Sequence, residues 1–232
     1  MPISGGQLTR AIVGFTLYLL LTPVLLFLAA GTLAWPAAWV YISLGICSSL
    51  GSRFVVLLRN PDTLLERARF SEADGTPGRD RALVLLVGIG LPMISVAIAG
   101  LDYRYGWTPE LSQSLQVIGA VLITLGYAAG VWAMIVNPFF SAVVRIQSDR
   151  DQYVVQSGPY RIVRHPSYAG ALLAGIGMPL LLSSVWVMPP MVLLFVVLVL
   201  RTRFEDELLL QELSGYREYA GRTRFRLIPG VW

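Results

Sequence analysis

Two short polar clusters bracket residues 166–200, a stretch that holds no Asp, Glu, Lys, Arg or His. Before it stands "SGPYRIVRHPSYAG" (157–170), with the chain's one histidine, His165, arginines at 161 and 164, and tyrosines at 160 and 168. After it stands "RTRFEDELL" (201–209), with Arg201, Arg203, Glu205 and Asp206. An arginine fork can hold a carboxylate. A carboxylate can accept charge-assisted hydrogen bonds from hydroxyls or an ammonium, and tyrosines can cover a flat ring. If the uncharged stretch folds into a helical hairpin, its two ends meet and the clusters form a pocket at a membrane boundary, wet on one side and open to lipid on the other. Such a pocket suits the joining of a soluble polar cofactor to a lipid-embedded substrate.

The elements that must position these groups are membrane helices. Of the 232 residues, 55% are hydrophobic and 14% charged, against about 25% charged in a soluble domain. Residues 11–52, 82–101, 111–144 and 166–200 are free of Asp, Glu, Lys, Arg and His, and a bilayer crossing needs roughly 20 apolar residues. The first run divides near "GTLAWPAAW", where Gly31 and Pro36 favour a turn and Trp35 and Trp39 suit an interface. Spans are therefore expected at about 10–31, 36–58, 82–101 and 113–136. Residues 166–200 form a further hairpin, turning at Ser183, Ser184, Pro189 and Pro190 and somewhat short for two full crossings. A cleaved signal peptide does not fit so long a first run. Asn60–Pro61 predicts a helix start, and Leu64, Leu65 and Ala68 opposite Glu66, Arg67 and Arg69 predict a short interfacial helix. Leu208, Leu209, Tyr216 and Tyr219 predict an amphipathic helix on the cytoplasmic surface. The expected fold is all-α and integral to the membrane, with about six membrane helices and a cytoplasmic C-terminal cofactor pocket. It forms one domain over 1–232: a helix pair over 10–58, an interfacial loop over 59–81, a second pair over 82–136 and a core over 137–232.

The net charge of +4 does not call for nucleic acid. All 18 basic residues are arginine, which fits a GC-rich bacterial genome, and they flank the second and fourth connections and the tail, with only Arg104 in the third. That bias follows the positive-inside rule with both termini cytoplasmic. The single cysteine, Cys47, excludes an intrachain disulfide and reads as a small buried hydrophobe. No metal site is expected. "GIG" at 88–90 and at 175–177 lacks the strand–turn–helix context of a dinucleotide loop, and helix packing explains it better. Singly, each end residue has a plain explanation as an interfacial anchor or a helix-surface pair. Their joint occurrence at both ends of one hairpin favours a site.

"GPYRIVRHPSYAG", then one apolar hairpin, "RTRFEDELL" and "YREYAGRTRFRLIP", resembles the isoprenylcysteine carboxyl methyltransferase family. "NPFFSAVVRIQSDRDQYVVQSGPY" and "RNPDTLLERARF" upstream fit as well. The resemblance runs over roughly 55–232 and is strongest in 137–229. It implies S-adenosyl-L-methionine bound by the last helices and the C-terminal tail. By motif position the cofactor contacts fall on Arg145, Gln152, Tyr153, Val154, Val155, Tyr160, His165, Pro166, Ser167, Tyr168 and Glu205. Arg201 corresponds to the family's substrate-side arginine, and Arg164 with His165 suits the cofactor carboxylate. The implied activity is carboxyl O-methylation of an isoprenylcysteine-like lipophilic acceptor. The rivals are methylation of a phospholipid amine or small thiol, an NADPH-dependent isoprenoid or sterol-type reductase, and an ion-coupled transporter, against which the lack of ionisable residues within the spans argues.

Overall fold

The computed structural model describes residues 5–59, 78–141 and 144–232. The interfacial helix expected at Asn60–Ala68 lies outside them. Helix α1 runs Gly5–Ala30 and α2 Pro36–Arg59. Helix α3, Gly78–Leu85, continues through one π turn, Leu86–Gly90, into α4, Leu91–Tyr105. Helix α5 is Gln113–Val136, α6 is Pro166–Leu181, α7 is Met188–Glu212 and α8 is Tyr216–Arg222. No strand occurs among the described residues.

Among those residues five helices are long and apolar enough to cross a membrane, and α6 is a shorter apolar one. Its 16 residues reach about 24 Å at 1.5 Å per residue, less than the roughly 30 Å of a hydrocarbon core. The chain is a multi-pass membrane protein whose last hairpin pairs one short arm with one long arm.

Close packing sets the frame. At Gly126 an added Cβ would lie 2.4 Å from the Gly170 carbonyl oxygen, and at Gly119 it would lie 2.7 Å from that of Gly177. Helices α5 and α6 therefore touch backbone to backbone, the contact that small residues permit in a membrane. Gly100 brings α4 against α1 in the same way. Packing thus accounts for Gly177. It does not account for Gly88 and Gly90, which meet no neighbouring helix and sit in the π turn. There Pro92 supplies no N–H to the Gly88 carbonyl, and a wider turn absorbs the lost bond.

The end of the hairpin remote from the polar clusters is pinned by Asp102. Its carboxylate accepts the Thr108 N–H and hydroxyl, both at 2.7 Å, and the Ser184 hydroxyl at 2.5 Å. Trp35 stacks on Tyr103 and Trp107 meets Trp186 edge-on at this same end, a layer of aromatics suited to an interface.

The amphipathic helix expected from Leu208 onward is divided: Leu208 and Leu209 lie on α7, and Tyr216 and Tyr219 lie on the short α8. Helix α7 runs through Arg201 to Glu212 without a break, because no Gly or Pro occurs between Pro190 and Gly215. Gly215, at φ +79°, then turns the chain. Leu209, Leu213, Tyr216 and Tyr219 do not lie along a surface. They form a second small core with Ala133 and Tyr160, against which Val154 and Val155 pack.

Candidate active site

Continuity of α7 places the site. Tyr168 opens α6 directly opposite Glu205 on α7, and its phenol donates to Glu205 Oε2 at 2.7 Å. One turn back along α7 the buried Arg201 guanidinium lies over the Tyr168 ring, 5.6 Å from its centre. His165 stacks in parallel with Tyr168 and has Nδ1 4.0 Å from Glu205 Oε1. The two ends of the uncharged stretch therefore meet in space.

A recess opens beside them, with about 860 Å³ of unfilled space including its mouth. Its walls include Arg145, Gln152, Tyr153, Val154, Val155, Tyr160, His165, Pro166, Ser167, Tyr168 and Glu205. Arg201 is not among its lining residues; it reaches the site through the Tyr168 ring that it lies over.

Local chemistry explains the individual positions. Pro166 starts α6 at its first residue, where no N–H is needed. The C-terminal segment holds the preceding loop: the Arg164 N–H donates to the Phe225 carbonyl at 2.9 Å and the His165 N–H to that of Arg226 at 3.0 Å. Gln152 Oε1 accepts the Gln147 N–H at 2.6 Å, which folds the 147–152 turn against the recess. Arg145 binds Asp149 at 3.0 Å, and that hydrogen bond holds the Asp149 carboxyl below its ordinary range. Tyr160 accepts from Asn137 Nδ2 at 3.1 Å, and Tyr219 donates to the Tyr160 carbonyl at 2.7 Å. Burial pushes the Tyr219 phenol up to about 12 and those of Tyr160 and Tyr216 higher still.

Three features escape a sequence reading. Asp206, fully buried, is the hub beneath the site. It accepts from Arg164 Nη1 at 2.8 Å, Arg226 Nε at 2.8 Å and Tyr216 at 2.9 Å, with His165 Nε2 at 3.4 Å. Arg164, expected to meet a cofactor carboxylate, lines the recess and also gives Nη1 to Asp206 and Nη2 to the Arg224 carbonyl. Asn137, Leu208, Leu209 and Leu213 also line the recess. One signal was available for Asp206. Consecutive residues on a helix point about 100° apart, so Glu205 and Asp206 cannot both face one cavity.

Residues 115–214 match the sequence family described as phospholipid methyltransferase. The chain is 33% identical over 115 residues to protein-S-isoprenylcysteine O-methyltransferase of Saccharomyces cerevisiae, covering 46% of each chain. It is 28% identical over 125 residues to a probable protein-S-isoprenylcysteine O-methyltransferase of Oryza sativa, covering 50% of this chain and 63% of the relative. It is 27% identical over 145 residues to cobalt-zinc-cadmium resistance protein CzcN of Cupriavidus metallidurans, covering 59% and 61%. The matched segments thus span less than two thirds of these relatives. Over these segments the chain is similar both to the phospholipid methyltransferase family and to proteins named isoprenylcysteine O-methyltransferases.

Proposed function

We propose that the chain is an S-adenosyl-L-methionine-dependent methyltransferase that esterifies the carboxylate of a lipophilic, isoprenylcysteine-like acceptor. The observation that carries this reading is the meeting at Tyr168, which lines the polar recess, donates to Glu205 and has the Arg201 cation over its ring. The residues present suit the cofactor. Val154, Val155, Leu208 and Leu209 offer apolar cover beside Tyr153 and Tyr160, and Glu205 offers a carboxylate to hydroxyls or to an ammonium. When bound, the cofactor supplies an electrophilic methyl group on a sulfonium.

The chain's own part is positioning. A carboxylate acceptor is already ionised at neutral pH, so no general base is required. Arg201 holds that carboxylate as a fork. Tyr168, fixed by Glu205 and by stacking on His165, adjoins both the recess and Arg201. Asp206 keeps Arg164 and Arg226 in place under His165. Alignment of this kind supplies roughly 7–11 kcal/mol of a barrier.

The family description favours a second reading, methylation of a phospholipid amine. The Arg201 cation weighs against it, since a positive side chain suits a carboxylate and repels an ammonium. The arginine bias along the sequence supports an orientation with both termini cytoplasmic, and the all-arginine usage supports a bacterial inner membrane. Calorimetric titration of the purified protein with S-adenosylmethionine and, separately, NADPH tests the cofactor. Binding of the first alone is expected; binding of NADPH alone moves the chain to the reductase class.

A further inference from the structure

The loop before α6 and the C-terminal segment run side by side in one seam. The Tyr160 carbonyl accepts from the Tyr219 and Thr223 hydroxyls, and the Arg164 and His165 N–H groups donate to the Phe225 and Arg226 carbonyls. Side chains along the seam divide between two sides. Tyr160, Val163, Arg164, His165, Tyr219 and Thr223 are buried, and all but Val163 and Thr223 wall the recess. Arg161, Arg222 and Arg224 are exposed, as are Ile162, Ile228 and Val231. Other arginines close by are neutralised, Arg164 and Arg226 by Asp206 and Arg203 by Glu207. The guanidiniums of Arg161, Arg222 and Arg224 make no ion pair or hydrogen bond among the described residues, although Glu218 stands one turn before Arg222 on α8. Three uncompensated cations therefore sit on the outer side of the seam, and like charges held together oppose its pairing.

We propose that the outer side of this seam is a docking surface for anionic phospholipid headgroups, whose phosphates neutralise Arg161, Arg222 and Arg224 together and hold the recess wall closed. The leaflet concerned is the one at this end of α6, which the arginine bias makes the cytoplasmic one. Ile162 is four residues from Pro166, at most about 14 Å of extended chain, so the seam lies at headgroup depth. Cations interleaved with exposed apolar residues are the composition of a surface that beds into a bilayer interface. Lipid is favoured over an acidic protein because the seam already stands where anionic headgroups are concentrated. Each arginine near an anionic surface favours it by about fivefold, so three favour it by roughly 100-fold. Opening the seam parts Arg161 from Arg222 and Arg224. Headgroups therefore bind the closed form better and shift the equilibrium toward it. The proposal goes beyond the methyl-transfer reading and stands without it.

The test uses the full chain in nanodiscs of phosphatidylcholine, with or without added phosphatidylglycerol. Lipid retained by the protein is measured by native mass spectrometry, and deuterium exchange is followed at the Arg164 and His165 amides. Wild type is compared with Arg222→Gln, with the triple variant Arg161→Gln, Arg222→Gln and Arg224→Gln, and with Arg203→Gln as a control. Wild type should retain phosphatidylglycerol over phosphatidylcholine and exchange the two amides at least about fivefold more slowly when it is present. Arg222→Gln should lower the preference about fivefold and the triple variant roughly 100-fold, while Arg203→Gln matches wild type. In phosphatidylcholine alone the triple variant should exchange more slowly than wild type, because the opposing charges are gone; a variant that was merely misfolded would exchange faster. Equal retention of both lipids by wild type, equal exchange in both, or a triple variant that keeps the preference overturns the proposal. Protection by soluble glycerophosphoglycerol equal to that by the lipid overturns a headgroup as the occupant. Protection by polyglutamate but not by phosphatidylglycerol overturns it in favour of an acidic protein.

Discussion

Glu205 and Asp206 are adjacent carboxylates with opposite duties, and two neutralising substitutions separate them. Asp206 is fully buried between Arg164 and Arg226 and also holds Tyr216. Asp206→Asn keeps the shape, removes the charge and leaves two guanidiniums side by side, one of them nearly fully buried. Breaking a buried ion pair by removing one partner costs about 3–5 kcal/mol. At roughly 2–4 °C per kcal/mol for a chain of this size, Tm should drop by about 6–20 °C. Glu205 is half-buried and faces the recess, where it accepts from Tyr168. Glu205→Gln retains an acceptor for that phenol, so Tm should move by less than about 4 °C. Loss of a charge-assisted contact of about 1.5–3 kcal/mol lowers S-adenosylmethionine affinity by about 10- to 150-fold. Thermal melts and calorimetric titration of the two variants in nanodiscs decide the matter. An Asp206→Asn variant that melts within about 2 °C of wild type, or a Glu205→Gln variant that loses as much stability as Asp206→Asn, refutes the division.

Arg201→Lys keeps the cation and loses the planar fork, so kcat should fall at least about tenfold while cofactor affinity stays within about twofold. His165→Ala should raise the cofactor KM first, and equal losses in Tm, affinity and turnover for both variants would reduce the two residues to anchors. Stability should fall as pH rises from about 10 to 12. The folded chain keeps the Tyr219 proton up to about 12, and those of Tyr160 and Tyr216 beyond it, whereas the unfolded chain releases them near 10. The slope approaches about 1.4 kcal/mol per pH unit for each tyrosine. Tm measured across that range checks it, with Tyr219→Phe reducing the slope, and a flat profile contradicts the burial argument. For topology, single cysteines at Gly106 and Ser157 in a Cys47→Ser background should differ in intact cells. Position 106 should label with a membrane-impermeant maleimide and position 157 should not.

Helix positions were legible because charge is excluded from apolar spans: the expected boundaries at 36–58 and 113–136 lie within a residue of α2 and α5. The residues that line the recess were legible through the RHPxY resemblance, which carries positions that composition alone does not single out. The continuation of α7 was not. A return of charge at Arg201 marks where water begins, and helices cross that boundary without breaking unless Gly or Pro intervenes. The part played by Arg164 was hidden for another reason. Its partner Asp206 is 42 residues away, and nothing local announces that a guanidinium at the recess is also neutralised by a carboxylate beneath it. The π turn at Leu86–Gly90 looked like a packing motif because Gly-rich helix contacts and Gly-rich bulges share one composition.

The central claim is that the polar recess and Arg201 join a methyl donor to a lipophilic carboxylate at Tyr168. The most direct measurement is transfer of a tritiated methyl group from S-adenosylmethionine by the nanodisc-embedded protein, offered N-acetyl-S-farnesylcysteine, a phospholipid extract and a small thiol in parallel. The account predicts label in farnesylcysteine that mild base releases as methanol, the signature of a methyl ester, with Arg201→Lys abolishing most of it. Base-stable label on the phospholipid or the thiol, with none on farnesylcysteine, contradicts it.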